Sequence, residues 1–565
     1  MQLAAVYHRP DSEMAYLVTK DKFQIRLRTK ANDVKKVEVL YGDPYGSKVN
    51  EKDEQAWEYA TKCLTKRYQT TLYDYWITEV ESVTNRLQYV FKIEDLTGET
   101  YFYDDRAIDV FMPDSLENMS AFRMPYFHEV DRVKVPEWVK NTVWYQIFPE
   151  RFCNGDETND ARDVEAWGNL PTTTNFFGGD LQGIIDKLDY LKDLGIGGLY
   201  LCPIFKAPSN HKYDTIDYFE IDPMFGDKET FKKLVDEAHK RGLKIMLDAV
   251  FNHMGDHSMQ WRDVKLHGEQ SRFADWFHIK EFPVSYDATS NYEYARNISY
   301  EVFANTPHMP KLNTANAQVK EYLLEIASYW IKQFDIDAWR LDVANEIDHH
   351  FWQDFSARVH SLKKDFYVLG EVWHSSQSWL NGTEFDAVMN YPLTESLLSG
   401  IVRRQISLVQ MRDRIYQHLM LYRDQTNQVM FNALDTHDTT RLLTLCHDDK
   451  KLLKLVLAVL FMQIGSPCLY YGTEVGLSGG PDPLCRKCMP WDDQQDADLL
   501  AFCKQLVTFK NQHVKLLSYG EFTIEIINDT SFRLVRRYVD DTLVGTFNIE
   551  TNDFEISLNE QLVVL

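Results

Sequence analysis

In the stretch Phe334 to Glu346, FDIDAWRLDVANE, an arginine and an aspartate stand two positions apart within an apolar run of strand length. Side chains alternate faces along a strand, so Trp339 and Leu341 share one side and Arg340 and Asp342 the other. A guanidinium beside a carboxylate keeps it ionised and oriented, as a nucleophilic carboxylate requires. Taken alone, the pair reads as readily as a buried ion pair. Chemistry-bearing residues recur, however, at the ends of other apolar runs: Asp248, Asn252 and His253 in DAVFNH, Glu371 in GEVW, and His437 and Asp438 in LDTHDT. One strand-end acid is more often a helix cap or salt bridge than a catalyst. Agreement at four strand ends is hard to explain by capping.

Paired carboxyl groups suit one reaction class. A retaining glycosidase uses two of them about 5 to 5.5 Å apart, one attacking and one protonating the departing oxygen. Neighbouring strands lie about 4.7–4.9 Å apart, so Asp342 and Glu371 can meet that spacing if their strands adjoin. In this scheme Asp342 is the nucleophile. Glu371, flanked by Leu369, Val372 and Trp373, is expected in an apolar setting that raises its pKa, as a general acid needs. Asp438 would accept hydrogen bonds from ring hydroxyls and favour a distorted sugar, with His253 and His437 as neutral donors beside it.

The elements that must hold these groups can be read from Asn141 onward, where strands and helices alternate. Strands are expected at Val143–Phe148, Gly198–Leu201, Lys244–Val250, Ala338–Leu341, Tyr367–Gly370, Ala387–Met389, Val429–Leu434 and Cys468–Tyr471. Helical segments such as KETFKKLVDEAHKRG lie between them. This is an α/β pattern, and eight such units are what a (β/α)8 TIM barrel requires, with chemistry at the C-terminal ends of the strands. The insertion 254–314 after the third strand is too long for an ordinary connection, and loops of that size are usually functional. Residues 1–125 alternate apolar and polar positions between turn-rich links and read as a β-sandwich. Its aromatics, as in YDYWITEV, point to an exposed surface for sugar or for a dimer contact. Short strands return near the end, so the expected domains are 1–125, a barrel over 126–515 that includes 254–314, and a small β-domain over 516–565.

A chain of 565 residues is too long for one hydrophobic core. Its 61 basic and 85 acidic residues leave a net charge of −24, which disfavours nucleic acid and anionic membranes and suits a neutral substrate. No apolar run is long enough to span a membrane. The N-terminal MQLAAVYHRPDSEM has neither a basic n-region nor an apolar h-region, so no signal peptide is expected and the cytoplasm is the simplest compartment. Cys485 and Cys488 form a single CxxC without a second pair and carry no assigned metal or redox role.

The motifs DAVFNH, WRLDVANE, GEVW and LDTHDT, in this order and spacing, resemble the four ordered motifs of the α-amylase family, family thirteen of the glycoside hydrolases. Met309-Pro310-Lys311-Leu312-Asn313 resembles the form found in its neopullulanase, cyclomaltodextrinase and maltogenic amylase branch, which also carries an N-terminal sandwich. The resemblance implies Asp342, Glu371 and Asp438 as catalytic residues and Asp248, His253, Arg340 and His437 around them. It further implies Tyr213, in HKYD, stacking under the sugar at the cleavage point. Asp482 and Arg486 would hold the next sugar toward the non-reducing end, and Asn345, Glu346 and Trp373 would face the acceptor. Asn154, Asp156, Asn159 and Asp160 in CNGDETND, with Gly178 and Asp180 in FFGGDL, offer the oxygen ligands that Ca²⁺ prefers. A solvated acidic turn has the same composition, but the spacing resembles a structural calcium site of this branch. The chain is short after about residue 516 for the β-domain usual in the family, and Cys488 replaces the residue common there. The implied activity is hydrolysis of α-1,4 bonds in cyclodextrins, pullulan or maltooligosaccharides, with some transglycosylation, by a homodimer. Alternatives are an oligo-1,6-glucosidase, a 4-α-glucanotransferase, or an inactive barrel that only binds carbohydrate.

Overall fold

Eight short apolar runs form parallel strands close to their expected positions. They are β1 (Trp144–Ile147), β2 (Gly198–Leu201), β3 (Lys244–Ala249), β4 (Ala338–Leu341), β5 (Tyr367–Gly370), β6 (Ala387–Val388), β7 (Phe431–Asn432) and β8 (Ser466–Tyr470). In this computed structural model, which describes residues 1–49, 55–110, 120–491 and 494–563, they pair in the order β6-β5-β4-β3-β2-β1-β8-β7. A parallel bridge between Met389 and Phe431 joins the two outer strands and closes the ring. Almost every strand residue is buried, because helices cover the outside of the sheet while side chains fill its interior; a parallel strand therefore reads as an unbroken apolar run. The helix Lys228–Lys240 shows the matching pattern. Phe231, Leu234, Val235 and Ala238 make its buried stripe, and Asp227 caps it by accepting from Thr230 N at 2.8 Å.

Register decides which side chains reach the rim. Asp248 on β3 pairs with Arg340 on β4, and Leu341 on β4 pairs with Gly370 on β5. Asp342 and Glu371 therefore leave their strands side by side. The insertion after β3 has its own apolar centre, where Trp261 packs against Phe277 and Tyr300 at ring separations of 4.7 and 4.6 Å. Bridges from His253 to Lys311 and from Phe277 to Leu312 bring its end back beside its beginning.

The chain divides into two compact units, Met1–Lys134 with Ile406–Asn427, and Val135–Gln405 with Gln428–Leu565. The second unit contains the barrel, the insertion and a five-stranded antiparallel meander from Glu521 to Val563. In the first unit two antiparallel sheets enclose a core of Phe23, Ile25, Leu27, Val37, Val39, Trp76, Tyr89, Phe91 and Ile93. The helix Leu408–Met420 belongs to this unit and stacks Tyr416 on Tyr68 at 4.4 Å. One expectation fails here. Tyr75 and Trp76 of YDYWITEV are each only 6% exposed, and Trp76 Nε1 donates to Thr29 Oγ1 at 3.0 Å. The strand lies inside its sheet, so alternation puts the tryptophan in the core rather than on a sugar-binding surface. Among the described residues no helix is long and apolar enough to cross a membrane.

Candidate active site

Arg340 is the centre of the barrel mouth. Its Nη1 donates to Asp248 at 2.9 and 3.0 Å and to Asp342 Oδ1 at 2.7 Å, and its Nη2 lies 2.8 Å from Glu371 Oε1 as an ion pair without hydrogen-bond alignment. The sequence pattern assigns this cation to one aspartate, but the folded ring divides it among three carboxylates. Burial, with Glu371 and Asp248 nearby, therefore raises the Asp342 carboxyl well above the usual range despite Arg340.

Glu371 does not sit in the expected apolar setting. Besides the guanidinium, its Oε1 accepts from Trp373 Nε1 at 3.1 Å and its Oε2 from Val343 N at 2.9 Å. The left-handed turn at Val343, with φ of 46°, aims that amide across to β5. Trp373 stacks on Tyr391 at 3.8 Å and leaves about half its surface open to the cavity.

Asp248, Arg340 and His437 lie behind the cavity wall, each at most 1% exposed. Asp248 Oδ2 accepts from Tyr200 at 2.7 Å and from Tyr213 at 2.9 Å. The Tyr213 ring lies parallel to His437, within 4°, and its hydroxyl meets His437 Nε2 at 2.6 Å. Because Gln146 Nε2 approaches His437 Nδ1 at 2.7 Å as a donor, the ring proton sits on Nε2 and points at Tyr213 and Asp438. His253 Nε2 likewise donates to the Tyr213 carbonyl at 3.1 Å. Burial keeps both rings neutral, with His253 lowered to about 3 and His437 well below its usual value. They are neutral as expected, but their protons are already spent inside the protein.

Asp438 lines the cavity after β7, held by His437 Nε2 at 3.2 Å and by Arg486 Nη2 at 3.2 Å. Arg486 Nη1 also pairs with Asp482 at 3.1 Å, while its Nε donates to the His437 carbonyl at 2.9 Å. Cys485 is buried and its Sγ approaches that carbonyl at 3.2 Å, whereas Cys488 is buried nearby in the chain and both are free thiols. Lys311 joins the insertion to the turns after β3 and β4. Its Nζ meets Asn252 Oδ1 and donates to the Glu346 carbonyl at 2.9 Å.

These groups surround one cavity of about 460 Å³, lined by Tyr213, His253, Asp342, Asn345, Glu346, Glu371, Trp373, Asp438, Asp482 and Arg486 among others. Sequence reasoning did not single out Arg151, Asn210, His211, Glu293, Phe303 or Thr306, which also line it. His211 stood within the quoted HKYD motif. Glu293, Phe303 and Thr306 come from the long insertion, whose length was the available signal.

The loop CNGDETND and FFGGDL are also brought together. Asp180 accepts from Gly155 N, Asp156 N and Gly183 N at 3.1, 2.9 and 2.6 Å and from Asn159 Nδ2 at 3.1 Å. Asp156 is used locally, accepting from Thr158 N at 3.0 Å. A Cβ at Gly178 would lie 2.2 Å from Asp160 Oδ1. Among the described residues no three His, Cys, Asp or Glu side chains converge as a metal-binding group. The Asn154 and Asn159 Oδ1 atoms are nevertheless buried without a hydrogen-bond partner.

Comparison with known proteins gives matches along nearly the whole chain. The model described as alpha amylase, catalytic domain matches residues 146–515, and that described as alpha amylase, N-terminal ig-like domain matches residues 1–128. The chain is 48% identical to an intracellular maltogenic amylase of Bacillus subtilis (strain 168), covering 99% of this chain and 93% of that protein. It is 47% identical to a cyclomaltodextrinase of Geobacillus thermopakistaniensis (strain MAS1), covering 96% and 90%. A solved cyclomaltodextrinase structure superposes with a TM-score of 0.89 at 42% identity, covering 97% of this chain and 91% of the other.

Proposed function

The chain belongs to the α-amylase family, and on that premise we propose that it is a retaining α-glucan hydrolase. Its substrates are cyclodextrins, pullulan and maltooligosaccharides, cleaved at α-1,4 bonds with some transfer to sugar acceptors. The observation that carries the mechanism is the contact of one guanidinium with both Asp342 and Glu371 at the wall of a single cavity. Asp342 attacks the anomeric carbon, the glycosidic bond breaks, and the departing oxygen takes the proton of Glu371. Glu371, now a carboxylate, removes a proton from water or a sugar hydroxyl, which attacks the same carbon and frees Asp342.

The other residues position these two. Asp438, braced by His437 and Arg486, accepts sugar hydroxyl hydrogen bonds beside the reacting carbon. Asp248 and His437 act through Tyr213, holding its ring as a floor for the sugar. Asp482 and Arg486 bind the adjoining glucose. Asn345, Glu346 and Trp373 receive the acceptor.

A structural Ca²⁺ is proposed at Asn154, Asp156, Asn159, Asp160, Gly178 and Asp180. The support is the pair of unpartnered buried amide oxygens on Asn154 and Asn159 beside an acidic cluster. Bound there, the ion would tie together the first loops of the barrel. Homodimerisation through the N-terminal sandwich and residence in the cytoplasm complete the reading. A relative named as intracellular supports the compartment.

Product analysis tests the function. Panose or maltose from pullulan together with ring opening of cyclodextrin is the expected result. Glucose from isomaltose with no action on cyclodextrin would instead assign an exo-acting 1,6-glucosidase, and predominant chain redistribution a glucanotransferase. Sedimentation tests the assembly, where a monomer at micromolar concentration would overturn the dimer.

A further inference from the structure

Gln146 lies on β1, fully buried, with Tyr200 of β2 and Tyr470 of β8 beside it in register. Trp144, two positions earlier, stacks on Tyr367 of β5 at 6.0 Å, so this face of β1 points into the barrel. The Gln146 amide nitrogen reaches two partners there, His437 Nδ1 at 2.7 Å and Cys202 Sγ at 3.5 Å. Its Oε1 has no partner among the described residues, a cost to folding that an apolar side chain would not incur. Stability is therefore a poor account of an amide at this position.

What the amide does is choose between two states of one ring. His437 Nε2 faces Asp438 Oδ2 at 3.2 Å and the Tyr213 hydroxyl at 2.6 Å, and that hydroxyl has Asp248 Oδ2 at 2.9 Å. With the ring proton on Nε2 the chain runs one way: Gln146 donates to His437, His437 to Tyr213 and Asp438, and Tyr213 to Asp248. With the proton on Nδ1 instead, a ring lone pair would oppose the Asp438 carboxylate, and Tyr213 would turn its only proton from Asp248 to His437. A donor at Nδ1 excludes that second state. Burial, then Arg486, Arg340 and His211, keep the ring neutral against Glu371, so no second ring proton removes the choice. We propose that Gln146 is a positioning residue for the hydrolysis, fixing the His437 tautomer and through it the Tyr213 floor and the orientation of Asp438. This inference rests on the hydrolase reading above.

The test compares kcat/KM for cyclodextrin opening between about pH 5 and pH 10 in the wild-type protein, Gln146→Leu and Gln146→Glu, with melting temperatures alongside. Gln146→Leu removes the donor and the unpartnered oxygen together. It should melt within a few degrees of wild type yet lose about tenfold or more in kcat/KM at every pH, since a misplaced positioning group costs up to about 100-fold. Gln146→Glu should respond to pH. While a proton lies between the new carboxyl and Nδ1, Nε2 keeps its own, and activity should stay within a few-fold of wild type. Once that proton leaves, the carboxylate draws the ring proton to Nδ1, so the ratio of variant to wild-type activity should fall about tenfold or more as pH rises. Gln146→Leu within about twofold of wild type, or a Gln146→Glu ratio that does not change with pH, overturns the inference alone. If Gln146→Leu does not fold, the Gln146→Glu ratio decides. Absence of ring opening by the wild type overturns the hydrolase reading as well.

Discussion

Arg340 Nη2 lies 2.8 Å from Glu371 Oε1, although Arg340 stands on β4 and Glu371 follows β5. The same guanidinium holds Asp342 through Nη1, so its planar fork sets the relative position of both carboxyl groups. Arg340→Lys keeps the charge and removes the fork. We expect kcat on a cyclodextrin to fall at least about 100-fold, the scale seen when a preorganised electrostatic contact is lost. A lysine also cannot reach all three buried carboxylates with one head group, so at least one loses its partner and the melting temperature should drop. A lysine variant within threefold of wild-type kcat would show that the fork is dispensable.

Glu371→Gln separates proton donation from attack. Hydrolysis of cyclodextrin should fall about 10³-fold or more while oligosaccharide binding survives, because the amide keeps the shape of the acid but donates no catalytic proton. An α-maltosyl fluoride, whose leaving group needs no proton, should remain a substrate. Glu371 is one of the neighbours that raise Asp342. Removing its charge should lower the Asp342 acid and move the acidic limb of the fluoride pH profile below that of wild type. A limb that stays put or moves upward would contradict the coupling.

Much of this arrangement was legible in the sequence because a buried parallel strand has no polar face to interrupt its apolar run. The two-residue spacing of Arg340 and Asp342 places both on one face, and the structure keeps them 2.7 Å apart. What spacing does not reveal is where each proton and hydrogen bond goes. His437 is engaged by Gln146, 291 residues distant in the chain, and His253 by the Tyr213 carbonyl. The apolar neighbours of Glu371 along its strand likewise gave no sign of Arg340 and Val343 arriving from β4 and its turn. For Trp76, alternation showed two faces but not which one would be covered.

At the opposite end of β4, Asp337 is buried and accepts from His239 at 2.7 Å, Lys244 and Lys363 at 2.9 Å each, and Ile245 N at 3.0 Å. Burial pushes its acid up, but His239, Lys363 and Lys244 outweigh burial and hold it well below the usual carboxylate range. A depressed folded-state acid contributes stability that is fully present above the unfolded value of about 3.9 and is lost as pH falls toward the folded value. Asp337→Asn should therefore lower stability at neutral pH by about 3 kcal/mol or more. Thermal melts between about pH 5 and pH 2 should also fall less steeply for the variant than for wild type. Parallel melting curves for the two proteins across that range would show that Asp337 contributes nothing to acid stability.

The proposed Ca²⁺ can be tested by stability rather than by activity. Asn154 and Asn159 carry the buried oxygens without partners, and an unsatisfied buried acceptor costs about 1–3 kcal/mol. A hard cation that binds only the folded chain satisfies them and raises the melting temperature with its concentration. Millimolar Ca²⁺ should stabilise the chelator-treated protein by several degrees, with Mg²⁺ doing less because it demands a tighter octahedral shell. Asn154→Ala and Asp160→Ala should lose the Ca²⁺-dependent increment while leaving the chelated baseline within about 1 kcal/mol, since each then removes only a partly exposed side chain. Identical melting temperatures with Ca²⁺ and with chelator would instead assign the cluster to a solvated acidic turn, its oxygens served by water.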